Sequence, residues 1–363
     1  MPTPSPDRAA LIVGASGIAG SAVTEQLLAD GGWTVYGLCR TPGRLDERVI
    51  PVIADLRDPN SLTGALADIR PTHVFYTSWA RMPTEAENCV VNGAMVRDLF
   101  DALTAGGSVQ HAALLTGLKH YMGPFEAYGT GEMADTPFTE EAGRQDVANF
   151  YYDQEDALFA AAERDNFTWS VHRAHTISGH ALGNVMNFAL TVAVQAAICR
   201  ELGQPLIFNG SDTQWNGLTD VSDSTIVAKQ MIWASTTPGI GNEAWNVANG
   251  EVFRWRVLWP KLAQYLGVDW EGFVDKPRTA VEQMTGKQDV WQRIVEREGL
   301  VEPRLDRVAA FWHSDSDLGL ETEVITGMTK SRLAGFTEYV STEAAFKRLF
   351  DRYREENIIP KFQ

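Results

Sequence analysis

Three glycines near the start of the chain have the spacing of a loop that binds phosphate. In the stretch VGASGIAG, the strand candidate at 9–16 runs into a glycine turn, and Gly14, Gly17 and Gly20 connect it to a helical pattern at 20–32. Glycine permits a tight turn and lets the backbone approach a pyrophosphate, which then lies at the N-terminus of the helix. Simple tight turns also contain such glycines, but the place of this triad between a strand and a helix favours dinucleotide binding.

The end of the second predicted strand indicates which dinucleotide the loop binds. Sites for NAD usually have an acidic side chain there, whereas this chain has Arg40 in GLCRTPGR, with Arg44 close behind. A guanidinium suits a 2′-phosphate because it donates two charge-assisted hydrogen bonds, although a solvated surface arginine would give the same pattern. We therefore predict NADP(H) as the cofactor, with Asp55 and Leu56 at the adenine edge.

The tyrosines of the chain lack the lysine that usually accompanies a catalytic tyrosine. An ordinary short-chain dehydrogenase carries Tyr-x-x-x-Lys on one helix, where the two side chains share a face. None of the nine tyrosines here has a lysine four residues later; Tyr151, for example, is followed there by Glu155. By themselves, Tyr151 and Tyr152 fit core aromatics, and Lys119 in TGLKHYMGPFE fits a solvated loop lysine. The missing pair is typical of an inactive enzyme or a regulator.

The first half of the chain alternates short β-rich runs with helical patterns. These runs are continuously apolar, which indicates a parallel sheet covered on both faces. The strand candidates are 9–16, 33–40, 49–56, 72–79, 111–117 and 169–175. We predict an α/β fold, in which a Rossmann-type doubly wound parallel sheet carries a smaller, mainly helical C-terminal substrate-binding lobe.

The alternation weakens after about residue 176, which suggests where the lobe begins. We expect residues 1–180 to form the NADP-binding Rossmann domain, with its sheet completed by segments within 205–250. Residues 181–363 would then form mainly the substrate-binding lobe.

Composition excludes several classes of protein. The formal charge of −16 over 363 residues disfavours nucleic acid and acidic membrane surfaces as partners. Three separate cysteines argue against a disulfide framework or a zinc site, and the uneven spacing of His172, His175 and His180 argues against a metal site. The polar N-terminus has no apolar signal core, and the most apolar later stretch, 186–199, is too short to span a bilayer. These features predict a cytoplasmic protein without a metal.

Two motifs resemble the progesterone 5β-reductase and iridoid synthase family, a branch of the extended short-chain dehydrogenases. TGLKHYMGPFE (116–126) matches the motif that carries the family's lysine, and NFYYDQED (149–156) matches the motif that carries its tyrosine. The matched residues are Lys119 and Tyr151. The resemblance covers most of the chain, since it continues through THVFYTSWA (72–80), TEAENCVVN (84–92), WSVHR (169–173) and EAWNVANGEVFRW (243–255).

The resemblance implies reduction of the C=C bond of α,β-unsaturated carbonyls by NADPH. Hydride would reach the β-carbon, and the Tyr151 hydroxyl would stabilise the enolate that develops at the carbonyl oxygen. Lys119 would strengthen that donor, or act through the cofactor ribose and the oxyanion. A homodimer is also implied by the resemblance.

Further site residues are assigned by their positions in the glycine loop, at the predicted strand ends and in the motifs that carry the resemblance. Besides Gly14, Gly17, Arg40, Asp55, Leu56 and Tyr151, the predicted cofactor site contains Ser16, Ile18, Thr77, Ser78, Thr116, His175 and Ile177. The predicted substrate site contains Trp79, Tyr121, Met122, Phe125 and His313, although each of the apolar residues could equally belong to the core.

Two departures from the family pattern bear on substrate size. Plant members have a Pro-Gly-Asn type sequence where this chain has RAHTISGH (173–180), and His313 aligns with a phenylalanine. Enones or enals smaller than a 4-en-3-one steroid therefore fit at least as well as the steroid. Two other hypotheses for the function stay open. The chain could be a carbonyl reductase or nucleotide-sugar epimerase of the wider family, or a regulator that senses NADP(H) without turnover.

Overall fold

The computed structural model describes residues 8–41, 45–124, 134–183, 186–276 and 278–361. The chain forms two compact units, each built from separated stretches of sequence. The first comprises Met1–His175, Thr225–Val247 and Gly327–Glu338, and the second comprises Thr176–Ser224, Ala248–Thr326 and Tyr339–Gln363. The chain therefore leaves the first unit and returns to it twice.

The first unit alternates strands with helices, as the sequence pattern predicts. Its elements are β1 (Ala9–Val13), α1 (Ile18–Asp30), β2 (Thr34–Cys39), β3 (Ile50–Ile53), α2 (Pro59–Leu66), β4 (His73–Tyr76), α3 (Glu85–Thr104), β5 (His111–Gly117), α4 (Lys119–Met122), α5 (Phe150–Asp165) and β6 (Thr168–Ala174). Later segments add α8 (Ser224–Thr236), β10 (Glu243–Val247) and α13 (Thr329–Leu333).

Seven strands of the first unit form one parallel sheet in the order β10-β6-β5-β4-β1-β2-β3. Every neighbouring pair runs parallel, so the predicted Rossmann-type sheet is confirmed. The strand order reverses beside β1, where β2 lies on one side and β4 on the other. In folds of this type, ligands bind outside the carboxyl ends of the strands at this reversal.

Helices pack on both faces of the sheet, which explains why its central strands are apolar throughout. On one face, α2, α3 and α5 share a hydrophobic cluster with alternate strand residues such as Leu11, Val74 and Leu114. On the other face, the ring of His172 lies 2.8 Å from the side-chain oxygen of Gln230 on α8. The sheet is thus buried between two helical layers.

The second unit is mainly helical. Its elements are β7 (Ile177–Ser178), α6 (Phe188–Glu201), β8 (Leu206–Ile207), α7 (Asp212–Asn216), β9 (Ser222–Asp223), α9 (Trp255–Tyr265), β11 (Trp270–Glu271), α10 (Ala280–Met284), α11 (Gln288–Glu298), a 3₁₀ turn at Leu305–Arg307, α12 (Phe311–Leu318) and α14 (Thr342–Glu355). Every residue of α6 from Phe188 to Cys199 is buried, so the apolar stretch is a core helix packed among large side chains that include Trp259 and Trp291.

No helix within the described part of the chain has the length and apolar character needed to cross a membrane.

Candidate active site

The glycine loop lies at the carboxyl end of β1, at the reversal of the strand order. Gly14 has φ of +88°, a conformation that residues with a Cβ rarely adopt, and its N–H donates to the Leu38 carbonyl at 3.0 Å. A Cβ on Gly20 would lie 2.1 Å from the Gly14 carbonyl oxygen, so only glycine allows this close packing. Gly17 is the N-cap of α1, and no side chain among the described residues caps that helix. The first amides of α1 are therefore available to an anion.

Two predicted cofactor residues at the end of β4 lie against this loop. The Thr77 hydroxyl donates to the Val13 carbonyl at 2.8 Å, which ties the end of β4 to the end of β1. A Cβ on Gly14 would lie 2.3 Å from the Ser78 hydroxyl oxygen, so Ser78 lies directly against the loop. The sheet thus brings Gly14, Thr77 and Ser78 together. Of the other predicted loop residues, Ser16 is exposed and Ile18 is buried.

The predicted adenosine end of the site contains one more arginine than the sequence analysis identified. Arg40 is exposed at the end of β2, and Leu56 is buried just after β3. Arg57 lies 3.2 Å from Asp55, and its guanidinium holds the pKa of that carboxyl below its ordinary value, with a smaller contribution from Arg40. In the sequence, the position of Arg57 two residues after Asp55 was the signal that could have identified it. Arg44 lies outside the described residues.

Lys119 and Tyr151 are brought together from two separate elements. Lys119 is the first residue of α4, directly after β5, and Tyr151 lies in the first turn of α5. The Lys119 Nζ atom lies 4.4 Å from the ring centre of Phe150 and 5.6 Å from that of Tyr151. Lys119 is only 5% exposed, so it is not the solvated loop lysine that its position in the sequence would otherwise suggest.

Gly117 gives the Tyr151 hydroxyl its place at the carboxyl end of β5. A Cβ at Gly117 would lie 3.1 Å from the Tyr151 hydroxyl oxygen and 3.0 Å from the Ala174 carbonyl oxygen. Burial raises the pKa of Tyr151 above its ordinary value, and the charge of Glu85 raises it further. Tyr151 therefore carries its proton at neutral pH and is able to donate a hydrogen bond.

Asn149 joins the two elements, a role that the sequence analysis missed. Its side chain accepts from the Tyr151 N–H at 3.2 Å as the N-cap of α5, and its amide nitrogen donates to the Lys119 carbonyl at 2.8 Å. Asn149 is 1% exposed. An asparagine just before a helical pattern is a recognisable capping signal, but its second hydrogen bond follows only from the fold.

Glu85 was also missed, although it lies in the motif TEAENCVVN. It begins α3, and its carboxylate accepts from the Phe150 N–H at 2.9 Å and from the Asn88 side chain at 2.9 Å. The same carboxylate lies 3.7 Å from the Lys119 Nζ atom. One acidic side chain therefore contacts both elements that carry the predicted catalytic pair.

The hydroxyl of Tyr152 forms hydrogen bonds within the protein. Its hydroxyl donates to the His120 carbonyl at 2.7 Å and accepts from the Gln145 N–H at 3.1 Å. The His120 ring is buried, and burial together with the nearby charge of Arg173 lowers its pKa to about 3. His120 is consequently neutral at physiological pH, and its ring packs edge-on against those of Tyr121 and Tyr152.

The predicted substrate residues have different surroundings. Trp79 is half-buried and stacks on Phe150, with ring centres 5.1 Å apart. Tyr121 is 1% exposed and its hydroxyl donates to Asn246 at 2.7 Å, which fits the core alternative, and the substrate contact stays a prediction. Met122 is likewise buried.

The remaining predicted residues are divided between the two units. Thr116 is buried near the end of β5, and His175 is buried after β6. Ile177 begins β7 in the second unit, where His313 lies on α12 with its Nδ1 atom 3.5 Å from an Asp317 oxygen. Phe125 lies outside the described residues.

The histidines considered as metal ligands have other partners. His172 contacts Gln230, and the ring of His180 lies 2.7 Å from Glu356. Across the described stretches, no group of three or more His, Cys, Asp or Glu residues is arranged to hold a metal ion.

The sheet, the glycine loop at its reversal and the paired Lys119 and Tyr151 define a Rossmann-fold protein of the short-chain dehydrogenase type. The model of the PRISE-like Rossmann-fold domain family matches residues 63–360, and the chain belongs to this family. The resemblance drawn from the sequence motifs is thereby confirmed.

Curated relatives span nearly the whole chain. The 3-oxo-Delta(4,5)-steroid 5-beta-reductase of Arabidopsis thaliana is 38% identical over 372 residues, covering 99% of this chain and 95% of the relative. A (S)-8-oxocitronellyl enol synthase of Camptotheca acuminata is 38% identical and covers 97% and 93%, respectively. The corresponding synthase of Catharanthus roseus is 36% identical, with coverage of 97% and 92%.

Solved structures share the fold at low identity. A UDP-glucose 4-epimerase of Thermotoga maritima superposes with a TM-score of 0.69 at 15% identity, covering 96% of this chain and 99% of the epimerase. The UDP-glucose 4-epimerase of Thermus thermophilus gives a TM-score of 0.65 at 16% identity, covering 95% and 99%. At this identity the likeness concerns the fold alone.

Proposed function

We propose that the chain is an NADPH-dependent ene-reductase that reduces the C=C bond of α,β-unsaturated carbonyl compounds. The observation that carries the proposal is the buried Lys119 Nζ, 5.6 Å from the Tyr151 ring centre, at the carboxyl end of the central strands. The relatives named as a steroid 5-beta-reductase and as 8-oxocitronellyl enol synthases support this class of substrate. Enones and enals, including 4-en-3-one steroids, have the required conjugated carbonyl.

Tyr151 would act on the carbonyl oxygen of the substrate. When bound, NADPH supplies a hydride to the β-carbon, and negative charge then develops on the carbonyl oxygen. Uptake of a proton at the α-carbon completes the saturated carbonyl product. A protonated hydroxyl aimed at that oxygen stabilises the transition state more than the ground state, because the oxygen becomes a better acceptor as the reaction proceeds. Burial keeps the pKa of Tyr151 above its ordinary value, which suits this role.

The glycine loop fits a dinucleotide. A Cβ on Gly14 or Gly20 would clash with the protein's own atoms, so these glycines provide the tight turn and the close helix–strand packing of a dinucleotide-binding loop. The uncapped N-terminus of α1 favours an anion. Two guanidinium groups near Asp55, those of Arg40 and Arg57, support a 2′-phosphate and hence NADP(H) over NAD(H).

The test is consumption of NADPH with a small cyclic enone and with progesterone, followed by analysis of the product. We expect a saturated ketone from the wild type and a rate loss of roughly 10²-fold or more in Tyr151→Phe. Tyr152→Phe is the matched control, because this adjacent tyrosine uses its hydroxyl on protein groups, and its turnover should stay within a few-fold of the wild type.

Other products would contradict the proposal. An allylic alcohol would make the protein a carbonyl reductase. Tight NADPH binding without turnover of any enone or enal would instead support a regulator.

We further propose a homodimer in the cytoplasm. The family resemblance supports the dimer, which light scattering on the purified protein will test. The three cysteines, Cys39, Cys89 and Cys199, are all free, as is typical of a reducing compartment. A monomeric mass at micromolar concentration would contradict the dimer.

A further inference from the structure

The carboxylate of Glu85 is shared between the two parts of the proposed catalytic pair. One oxygen accepts from the Phe150 N–H at 2.9 Å, directly before Tyr151 in the chain. The other oxygen lies 3.7 Å from the Lys119 Nζ atom and accepts from the Asn88 side chain at 2.9 Å. Three contacts from three elements therefore fix the position of this negative charge.

Both charged groups are removed from water. The side chains of Lys119 and Glu85 are 6% and 10% exposed, respectively. In such a place opposite charges interact strongly, and removal of one partner leaves the other uncompensated. Tyr151 is consequently adjacent to a nearly neutral ion pair rather than to an isolated ammonium group.

We infer that Glu85 is a positioning residue that offsets the charge of Lys119 and so acts together with burial to keep Tyr151 a neutral hydroxyl donor. An isolated ammonium beside a tyrosine favours the phenolate, which has no proton to donate to an enolate oxygen. With Glu85 present, the hydroxyl keeps its proton and the enolate receives a hydrogen bond. The catalytic part of this inference rests on the ene-reductase function proposed above.

The other ionisable groups near Tyr151 leave this balance in place. Cys89 lies one turn after Glu85 on α3. Burial is the main cause that raises the pKa of its thiol to about 12, and the neighbouring Asp153 contributes as well. Cys89 is therefore neutral over the useful pH range. Asp153, on the same helix as Tyr151, is exposed to solvent.

Glu155, one turn after Tyr151 on α5, is also buried, but its carboxylate pairs with Arg144 at 2.9 Å. The charge balance beside the tyrosine is therefore set by Lys119 and Glu85.

The decisive experiment is a spectroscopic titration that needs no turnover. The ultraviolet absorbance of tyrosinate is followed between pH 7 and about 11, and the signal of Tyr151 is obtained by subtracting the same titration of a matched Tyr151→Phe protein. In the wild type we expect no ionisation of Tyr151 in this range. In Glu85→Gln, which keeps the shape but removes the charge, we expect one additional tyrosine to ionise.

Glu87→Gln is the matched control. Glu87 lies in the same turn of α3 but is exposed and bonds only to Thr84 in the described structure, so its removal should leave the titration unchanged. In turnover assays, the alkaline limb of the pH–kcat profile should shift to lower pH by at least about one unit in Glu85→Gln. The limb should keep its position in Glu87→Gln.

A double variant keeps the inference open to disproof if Glu85→Gln does not fold. Glu85→Gln combined with Lys119→Met removes both charges of the buried pair, so no uncompensated ammonium group remains beside Tyr151. Tyr151 should then stay protonated up to about pH 11, as in the wild type. Ionisation of Tyr151 in the double variant, or an unchanged titration in a folded Glu85→Gln, would overturn the inference. Absence of enone reduction by the wild type would overturn the proposed function instead, while the titration would still report the role of Glu85.

Discussion

The side-chain amide of Asn149 donates a hydrogen bond of 2.8 Å to the backbone carbonyl of Lys119. The same side chain caps α5 through the Tyr151 N–H. Lys119 and Tyr151 are 32 positions apart in sequence, and Asn149 connects their two segments, as Glu85 and Tyr152 also do. The geometry of the proposed catalytic pair depends on these contacts.

Substitution of Asn149 should reduce both stability and turnover. Asn149→Ala removes the cap and the bond to Lys119, which should cost about 1–2 kcal/mol in the free energy of unfolding and at least about tenfold in kcat. Urea denaturation and steady-state kinetics measure these effects. The control is Asp58→Ala, which removes the exposed N-cap of α2 and should destabilise the protein without changing kcat. Equal kcat in the two variants would show that the bond to Lys119 does not position the pair.

Gly117→Ala should displace the tyrosine hydroxyl. The new Cβ would lie 3.1 Å from the Tyr151 oxygen, so either the ring or strand β5 must shift by a few tenths of an ångström. We expect a loss of kcat of at least about tenfold and a destabilisation of about 1–3 kcal/mol. Gly64→Ala is the matched control: its Cβ meets no atom within 4 Å on the exposed face of α2, and it should stabilise the protein by about 0.5–1 kcal/mol. Full activity of Gly117→Ala would indicate that Tyr151 tolerates displacement.

Replacement of the arginines should change the preference between the two dinucleotides. Arg40→Ser and Arg57→Ser each remove a guanidinium near Asp55. If these groups bind a 2′-phosphate, each substitution should raise the Kd for NADPH by about tenfold or more and leave the Kd for NADH nearly unchanged. Fluorescence titration measures both constants. Arg48→Ser, which removes an exposed ion pair with Asp46, is the control and should leave both constants unchanged. A parallel rise for NADPH and NADH would exclude this role.

Stability should fall steeply in mild acid, because four histidines are buried in the neutral form. Their pKa values are lowered from 6.5 by burial, to about 4 for His73 and His172 and to about 3 for His111 and His120. The unfolded chain binds these protons below pH 6.5 and the folded chain does not, so stability is present above that pH and is lost as the pH falls. Each histidine contributes up to about 2 kcal/mol of destabilisation at pH 5.

Urea denaturation at intervals from pH 7.5 to pH 5 tests this expectation. His172→Gln should reduce the slope of the free energy of unfolding against pH by the equivalent of about one proton, since it removes one buried titrating group. The buried Glu155 opposes the trend, because burial raises its pKa. A free energy of unfolding that is independent of pH over this range would be inconsistent with neutral buried histidines.

The sequence by itself determined the architecture of the first unit. Continuous apolar runs predicted strands that correspond to β1 through β6, and the position of Gly14 and Gly17 predicted the turn from β1 into α1. Such features are encoded locally, because an apolar run and a glycine's backbone conformation are properties of residues that are close together in the chain. The two family motifs likewise predicted Lys119 and Tyr151 as a pair, and the structure places these two side chains close together.

Only the tertiary structure decided which groups surround that pair. Glu85, Asn149 and Gly117 come from separate segments, and their contacts exist because parallel strands end at the same edge of the sheet and α3 packs beside α5. The hydrogen bond from the Tyr121 hydroxyl to Asn246 on a returning strand was equally hidden. A local pattern specifies the type of an element, whereas contacts between distant side chains depend on how the elements pack, and no local pattern contains that information.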